Sequence, residues 1–255
     1  MIGNILKKLC LITITIFLIS CVSTINEPKK WKPRERAEVH VQLGLTYLRQ
    51  NQYDTANMSF DSAIAINPQS DAAHHAKGLL MSRMGNQEDA EKFFARAVSL
   101  NPNNYLAVND YAVHLCQNKN THEGLALLKD IENQPSNNNI MIMQTMLGIG
   151  ICYHRRGDYK SSSEYLRTVL DSMPELPQAL LPMAEISYKD KKYLSARAFL
   201  ERYFGAGALS ENSLYLAANI ENQLGDKNKA NQYRRELKKR FPISHLNKKL
   251  DELLL

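Results

Sequence analysis

The hydrophobic positions of this chain recur with a period of 34 residues. Within one period, apolar side chains follow one another at steps of three and four, as Leu43, Tyr47, Phe60 and Ile64 do. This spacing places them on one face of a helix and predicts two amphipathic helices in each period. A fixed period of this length is typical of stacked helix pairs, and it favours binding over catalysis as the function.

Six copies of the period align along the chain, at residues 37–70, 71–104, 105–138, 143–176, 177–210 and 211–244. Four residues, 139–142, are inserted before the fourth copy. Small residues occupy the eighth position of every copy: Gly44, Gly78, Ala112, Gly150, Ala184 and Ala218. The twentieth position is also small: Ala56, Ala90, Gly124, Ser162, Ala196 and Ala230. Two helices approach closely only where neither has a bulky side chain, so these positions predict helix crossings.

The ends of the predicted helices have their own signals. Turn-forming residues stand between the two helices of four copies: Asn51, Gly85, Gly157 and Gly225. Because proline lacks the amide hydrogen that continues a helix, it closes four copies, at Pro68, Pro102, Pro174 and Pro242. One such pair cannot bury its apolar face alone, so we expect an all-α elongated superhelix.

The last eleven residues, 245–255, follow the sixth copy and contain five leucines. They predict a short C-terminal capping helix that folds Leu246, Leu250, Leu253 and Leu254 back onto the sixth copy. A frayed tail is the alternative.

The N-terminus has the features of an export signal. Residues 1–20 contain Lys7, Lys8 and an eleven-residue apolar run that is too short to span a bilayer as a helix. Ser20 and Cys21 follow the run in a sequence that resembles the bacterial lipobox, which implies a lipidated cysteine at the mature N-terminus. The alternatives are an ordinary signal peptide or an uncleaved anchor. Val22 in place of an aspartate favours the inner leaflet of the outer membrane, facing the periplasm.

Residues 21–36 predict a polar tether between this anchor and the repeats, which extend over residues 37–255. Trp31 either belongs to the tether or packs on the first helix. The formal net charge is +6, and it falls to +4 when Lys7 and Lys8 are removed. This charge is spread over many helices without interleaved aromatic side chains, so we expect no nucleic-acid partner.

Motifs that would support catalysis or a cofactor are missing from the sequence. There is no nucleophile elbow, no pair of metal-binding histidines at helical spacing and no glycine-rich phosphate loop. We therefore expect no enzyme activity, no metal, no cofactor and no small-molecule substrate. A peptidoglycan-active lipoprotein is the enzymatic alternative, and it would need an acidic pair or a nucleophile in a pocket.

Two cysteines besides Cys10 and Cys21 remain in what would be an oxidising compartment. Cys116 is the twelfth residue of the third copy and Cys152 the tenth of the fourth, so both lie on neighbouring first helices. Such helices pack roughly 8–10 Å apart, which lets two cysteines meet. We predict a disulfide that joins the third and fourth copies; two buried free thiols are the alternative.

The first helices should line the inside of the superhelix, and an apolar strip along the first four copies predicts a partner-binding groove. Its candidate residues are Val41, Leu45, Arg49, Leu79, Asn109, Val113, Leu147 and Ile151. The alternative is that these side chains only pack the first helices together.

The pattern resembles the tetratricopeptide repeat family, which implies a right-handed superhelix. The lipobox, the stretch from Arg36 to Leu48 and that from Asn109 to Cys116 are similar to the PilF/PilW lipoproteins of type IV pilus biogenesis. This resemblance implies a pilotin that binds secretin (PilQ-type) subunits, promotes their localisation and assembly, touches the membrane only through its lipid, and is monomeric on its own. Another periplasm-facing repeat lipoprotein, such as a barrel-assembly factor, is the alternative.

Overall fold

The computed structural model describes residues 31–118, 120–135 and 138–254, with side chains up to Glu252. The predicted leader, Cys21 and most of the predicted tether lie outside these residues. Trp31 is half-exposed, with 51% of its surface accessible. No helix among the described residues combines the length and apolar character needed to cross a membrane.

The described part of the chain forms thirteen α-helices, and twelve of them make six antiparallel pairs. The first three pairs are α1 (Pro33–Arg49) with α2 (Tyr53–Ile66), α3 (Asp71–Arg83) with α4 (Gln87–Leu100), and α5 (Tyr105–Gln117) with α6 (Thr121–Glu132). The next three are α7 (Asn139–Arg156) with α8 (Tyr159–Ser172), α9 (Pro177–Lys189) with α10 (Tyr193–Gly205), and α11 (Glu211–Gln223) with α12 (Lys227–Arg240). The all-α solenoid predicted from the period is therefore confirmed.

Helix starts follow local capping chemistry. The side chains of Ser70, Asn104 and Asp158 accept hydrogen bonds from the backbone amides three residues ahead, at the starts of α3, α5 and α8. These bonds satisfy amides that have no partner inside the helix. The inserted residues 139–142 are the first turn of α7, and Asn138 caps them through Ile140 N and Met141 N. The insertion therefore lengthens a helix and does not open a loop.

The core is divided into local clusters along the stack, as expected for a solenoid. Phe60, Leu80 and Phe94 are fully or almost fully buried in the first two pairs. A small cluster around the cysteines joins the third pair to α7, and a larger one extends from α8 to α11. Each pair is thus stabilised mainly by its immediate neighbours.

The helix α13 (Leu246–Leu254) closes the C-terminal end. Leu246 is 5% exposed and Leu250 is fully buried, and both pack with Leu214 and Leu237. Asp251 adds ion pairs to Arg234 and Lys238 on α12. The predicted capping helix is present, although the side chains of Leu253 and Leu254 lie outside the described residues.

The turn between the helices of a pair uses a left-handed residue at the same place, the fifteenth position of the repeat. The backbone φ there is 58° at Asn51, 83° at Gly85, 86° at Gly157, 60° at Lys191 and 84° at Gly225. Asparagine and glycine adopt this region readily, whereas lysine does so at a steric cost. Among the described turns of this kind, the turn at Lys191 is therefore the one whose residue type does not favour the left-handed conformation.

Lys191→Gly should raise the free energy of unfolding by about 0.5–1 kcal/mol, because glycine removes the left-handed penalty and loses only part of the gain to chain entropy. Thermal and denaturant unfolding of the purified protein would measure this change. Lys189→Gly is the matched control, since the same substitution at a right-handed residue, the last of α9, should lower stability. A loss of stability in Lys191→Gly would contradict the strain argument.

Candidate partner-binding groove

The first helices of successive pairs form one layer of the solenoid, and the second helices form the other. In the first-helix layer, α1 contacts α3, α5 contacts α7, and α7 contacts α9. The second helices of successive pairs lie farther apart, and they meet through long side chains, as Lys129 meets Tyr165 and Phe204 meets Tyr233. The face of the first-helix layer that points away from the second helices is therefore a continuous surface. The predicted groove lies on this face.

The structure separates the predicted groove residues into three groups. Val41 is 2% exposed and lies in the core between the first two repeats, so it is not available to a partner. Five aliphatic side chains are half-buried on the first helices: Leu45, Leu79, Val113, Leu147 and Ile151. Arg49 is exposed and donates to Thr46 Oγ1 at 3.1 Å. The apolar strip is thus narrower than the sequence pattern predicts.

Asn109 differs from its neighbours because it is polar and buried, at 9% exposed. Its Oδ1 has no hydrogen-bond partner among the described residues. A Cβ atom built on Gly148 would lie 3.0 Å from this oxygen and 3.2 Å from Val113 Cγ2. Asn109 therefore packs against α7 at a point where only glycine leaves room.

Two histidine–carboxylate contacts join neighbouring first helices. His75 Nε2 on α3 lies 2.8 Å from Asp110 Oδ2 on α5, and His154 Nε2 on α7 lies 3.0 Å from Glu185 Oε2 on α9. Each is an ion pair only when the histidine is protonated. Asp110 and Glu185 therefore each lie beside a histidine of a neighbouring first helix, and the contact of Asp110 with His75 is a hydrogen bond.

Cys116 and Cys152 form a disulfide between α5 and α7. Their sulfurs are 2.04 Å apart and their Cα atoms 5.2 Å apart. Cys116 is 1% exposed and Cys152 is fully buried, so the bond is enclosed in the small cluster that joins the third and fourth repeats. It holds together the two helices that contribute Val113 and Ile151 to the strip.

Sequence reasoning missed a buried carboxylate at Glu221, which is 2% exposed on α11. Its Oε1 lies 3.0 Å from Arg197 Nε and 3.3 Å from Lys229 Nζ, and Arg197 Nη2 contacts its Oε2. The hydrogen bond with Glu221 raises the pKa of Arg197. The repeat register contained a signal, because the same position in the other copies has no acid: Tyr47, Met81, Leu115, Tyr153 and Ser187.

His114 on α5 is buried beside the ring of Phe94, with ring centroids 5.2 Å apart. Burial lowers the pKa of His114, because an imidazolium loses its hydration in this environment. The side chain is therefore neutral at neutral pH and packs as an aromatic member of the interface between the second and third repeats.

The second-helix side has a separate cleft of about 710 Å³ between α8, α9 and α10. Its lining mixes charged and apolar side chains, among them Arg167, Asp171, Phe199 and Arg202. Arg202 donates to the carbonyl oxygen of Pro174, which ties α10 to the loop before α9. Among the described residues, no group of three or more histidine, cysteine, aspartate or glutamate side chains is placed to hold a metal ion.

Comparison with known proteins begins with the repeats. Residues 37–70 and 71–104 each match the tetratricopeptide repeat family. These matches cover the first two repeats, and the six helix pairs continue the same all-α solenoid fold through the other described repeats.

A more specific likeness covers almost the whole chain. The type IV pilus assembly protein PilF of Pseudomonas aeruginosa is 24% identical over 237 residues, which are 91% of this chain and 92% of that protein. The crystal structure of PilW, described as a widely conserved type IV pilus biogenesis factor, superimposes with a TM-score of 0.68 at 22% identity. It covers 84% of this chain and 97% of PilW. The structure of Pseudomonas aeruginosa PilF gives the same TM-score and identity, over 87% and 99% of the two chains. The chain is a PilF/PilW-like tetratricopeptide-repeat protein.

Proposed function

We propose that this protein is an outer-membrane lipoprotein of type IV pilus biogenesis that acts as a pilotin, binding secretin subunits and promoting their localisation and multimerisation. The observation that supports this most is the similarity to PilF over 91% of this chain and 92% of that protein. If the similarity were confined to the repeats, unrelated scaffold proteins of the same fold would share it equally. This one covers 91% of the chain, which is more than the six repeats at residues 37–244 occupy.

The groove supports a binding role for the first-helix layer. Its five half-buried aliphatic side chains are spread over the first four repeats and are not fully covered by the stack. A partly exposed apolar strip with polar neighbours is a surface that a partner peptide can cover. The disulfide keeps two of the contributing helices in a fixed relation.

The proposed lipid anchor is Cys21, which lies outside the described residues. Its support is the sequence alone: a basic leader, an apolar run of eleven residues and a cysteine at its end. A diacylated or triacylated N-terminus would hold the protein stably at a membrane. The tether at residues 21–36 would keep the groove close to the inner leaflet of the outer membrane.

A clean deletion in the source bacterium tests this function. We expect the deletion strain to lose secretin multimers from the outer membrane, seen as heat-resistant bands on immunoblots, and to lose surface pili. Wild-type protein should restore both, whereas Cys21→Ala should stay folded but restore neither. Normal secretin multimers in the deletion strain would contradict the proposal. A general loss of outer-membrane barrel proteins would favour the alternative function in barrel assembly.

The groove is tested in the same strain with a pair of leucine substitutions. Leu79→Asn changes the strip, and Leu194→Asn changes a leucine on α10 that is 68% exposed on the second-helix side. Secretin assembly should drop with the first and stay normal with the second, provided that both proteins melt as the wild type does. Equal effects of the two substitutions would argue against the strip.

A further inference from the structure

We propose that the groove accepts an acidic amphipathic helix, with its apolar face on the aliphatic strip and its carboxylates along one basic edge. This inference rests on the proposed binding role of the first-helix layer, and it does not depend on which protein supplies the helix. Three observations support it. A row of exposed cations lies where the first helices end, the acidic side chains of this layer do not pair with that row, and the edge where the first helices begin has a different charge.

The row lies at the thirteenth position of the repeat, in the last turn of the first helices. Four copies have a cation there: Arg49, Arg83, Arg155 and Lys189. All four are exposed. No carboxylate among the described residues lies within ion-pairing distance of any of them; Arg49 donates to Thr46 Oγ1, and Lys189 lies over the ring of Tyr159 at 4.9 Å. These positive charges are available to a partner.

Two acidic side chains of the same layer, Asp110 and Glu185, do not pair with any cation of this row. Asp110 lies beside His75 and Glu185 beside His154, each on a neighbouring first helix. The thirteenth position of the remaining copies is neutral, with Gln117 and Gln223. The edge at which the first helices end is therefore basic over five repeats.

The opposite edge, at which the first helices begin, contains no cation at the second position of the repeat. The residues there are Glu38, Ala72, Leu106, Gln144, Gln178 and Asn212. From the second repeat onward the groove is therefore basic along one side only, whereas the start of α1 also has the exposed Arg34 and Arg36. A partner with carboxylates on one side would bind in a defined direction, because its carboxylates would meet the row of cations in only one orientation.

A cation near the C-terminus of a helix also stabilises that helix through its dipole, and this alternative explanation can be examined. It should apply to second helices as well as to first helices. Among the second helices, α6, α10 and α12 have a basic residue in their last turn and α2, α4 and α8 have none. The first helices α1, α3, α7 and α9 each have one and α11 has none, so dipole stabilisation contributes to both layers. Peptide binding separates the two roles, because only a binding role makes affinity depend on the charge of the peptide.

The geometry favours a helical partner over an extended one. Neighbouring first helices lie roughly 8–10 Å apart, which is close to the rise of about 10 Å over seven residues of an α-helix. A helix can direct an apolar face to the floor and an adjacent acidic face to one edge. A strand directs alternate side chains to opposite sides, so its acids would point away from the groove when its apolar side chains face the floor.

Three synthetic helical peptides test the inference. They share one leucine face and differ only at three positions seven residues apart, which are glutamate, glutamine or lysine. Binding to the full chain in mild detergent is measured by fluorescence anisotropy at low and at physiological salt. We expect the glutamate peptide to bind at least 10-fold more tightly than the glutamine peptide, the lysine peptide to bind most weakly, and the preference to shrink as salt screens the charges.

A matched pair of quadruple variants locates the effect. Arg49, Arg83, Arg155 and Lys189 are all changed to glutamine in the first. Four exposed cations of the second helices, Arg96, Arg167, Arg235 and Lys239, are changed to glutamine in the second. Both lose the same charge, but only the first should lose the preference for glutamate. Binding of none of the peptides, equal binding of all three, or an equal loss in both variants would overturn the inference.

The peptide-binding experiment and the deletion experiment can fail independently of each other. Loss of pili in the deletion strain with no peptide preference would remove this inference and leave the pilus role intact. A clear preference for the glutamate peptide in a protein whose deletion leaves pili and secretin multimers normal would do the reverse.

Discussion

Replacement of Cys116 and Cys152 by alanine should lower the free energy of unfolding by about 4 kcal/mol, which is the largest effect that we expect from any two side chains in this protein. The two cysteines are separated by 36 residues in the sequence. A crosslink over such a loop removes much of the freedom of the unfolded chain. Alanine is suitable because both sites are buried and apolar.

The effect should be local, because a solenoid transmits stability mainly between neighbouring repeats. Hydrogen exchange should therefore become faster in α5, α6 and α7 and change little in α1 and α2. A reductant should lower the melting temperature of the wild-type protein and leave the alanine variant unchanged, which is the internal control. Equal melting of the oxidised and reduced wild type would contradict the prediction.

Much of the fold could be predicted from the sequence because the same pattern of small, apolar and turn residues occurs in six copies. The eighth and twentieth positions defined the helix crossings, and the turn residues defined where each pair reverses. Lys191 shows how strong the register is, since the chain adopts a left-handed turn there without asparagine or glycine. The helix pair prevails over the preference of one residue.

The groove was less predictable, because the face of a helix does not by itself determine which side chains remain accessible. Val41 belongs by its position to the groove face, yet α3 packs against α1 closely enough to bury it. Residues 139–142 follow no repeat, so their role as the first turn of α7 depends on the cap at Asn138. Glu221 is stabilised by cations from α10 and α12, and such contacts depend on tertiary structure.

The eighth and twenty-fourth positions lead to the second large prediction, because their sizes vary together in the first, second, third and fifth repeats, whereas the fourth pairs Gly150 with Leu166. Phe60 and Phe94 pack on the glycines Gly44 and Gly78, and a Cβ atom on Gly78 would lie 2.7 Å from Phe94 Cδ1. The third and fifth repeats have alanine with leucine instead, as Ala112 with Leu128 and Ala184 with Leu200. A ring thus occupies the volume that a methyl group takes in other repeats.

Gly78→Ala should therefore destabilise the protein by about 1–3 kcal/mol, although alanine is the better helix former, because the added methyl group overlaps a buried ring. Phe94→Leu alone should also destabilise it, by leaving a cavity beside the glycine. The double variant recreates the pair used by the third and fifth repeats, so its loss should be smaller than the sum of the two single losses by about 0.5–3 kcal/mol.

Equilibrium unfolding of the four proteins in this cycle measures the coupling directly. Gly205→Ala is the control for helix propensity, because a Cβ atom there would meet no atom within 4 Å. It should be neutral or stabilising by up to about 1 kcal/mol. Additive losses in the cycle would mean that the glycine and the ring are not matched to each other. The small residues of the repeat would then reflect helix approach in general and not the particular side chain that each one faces.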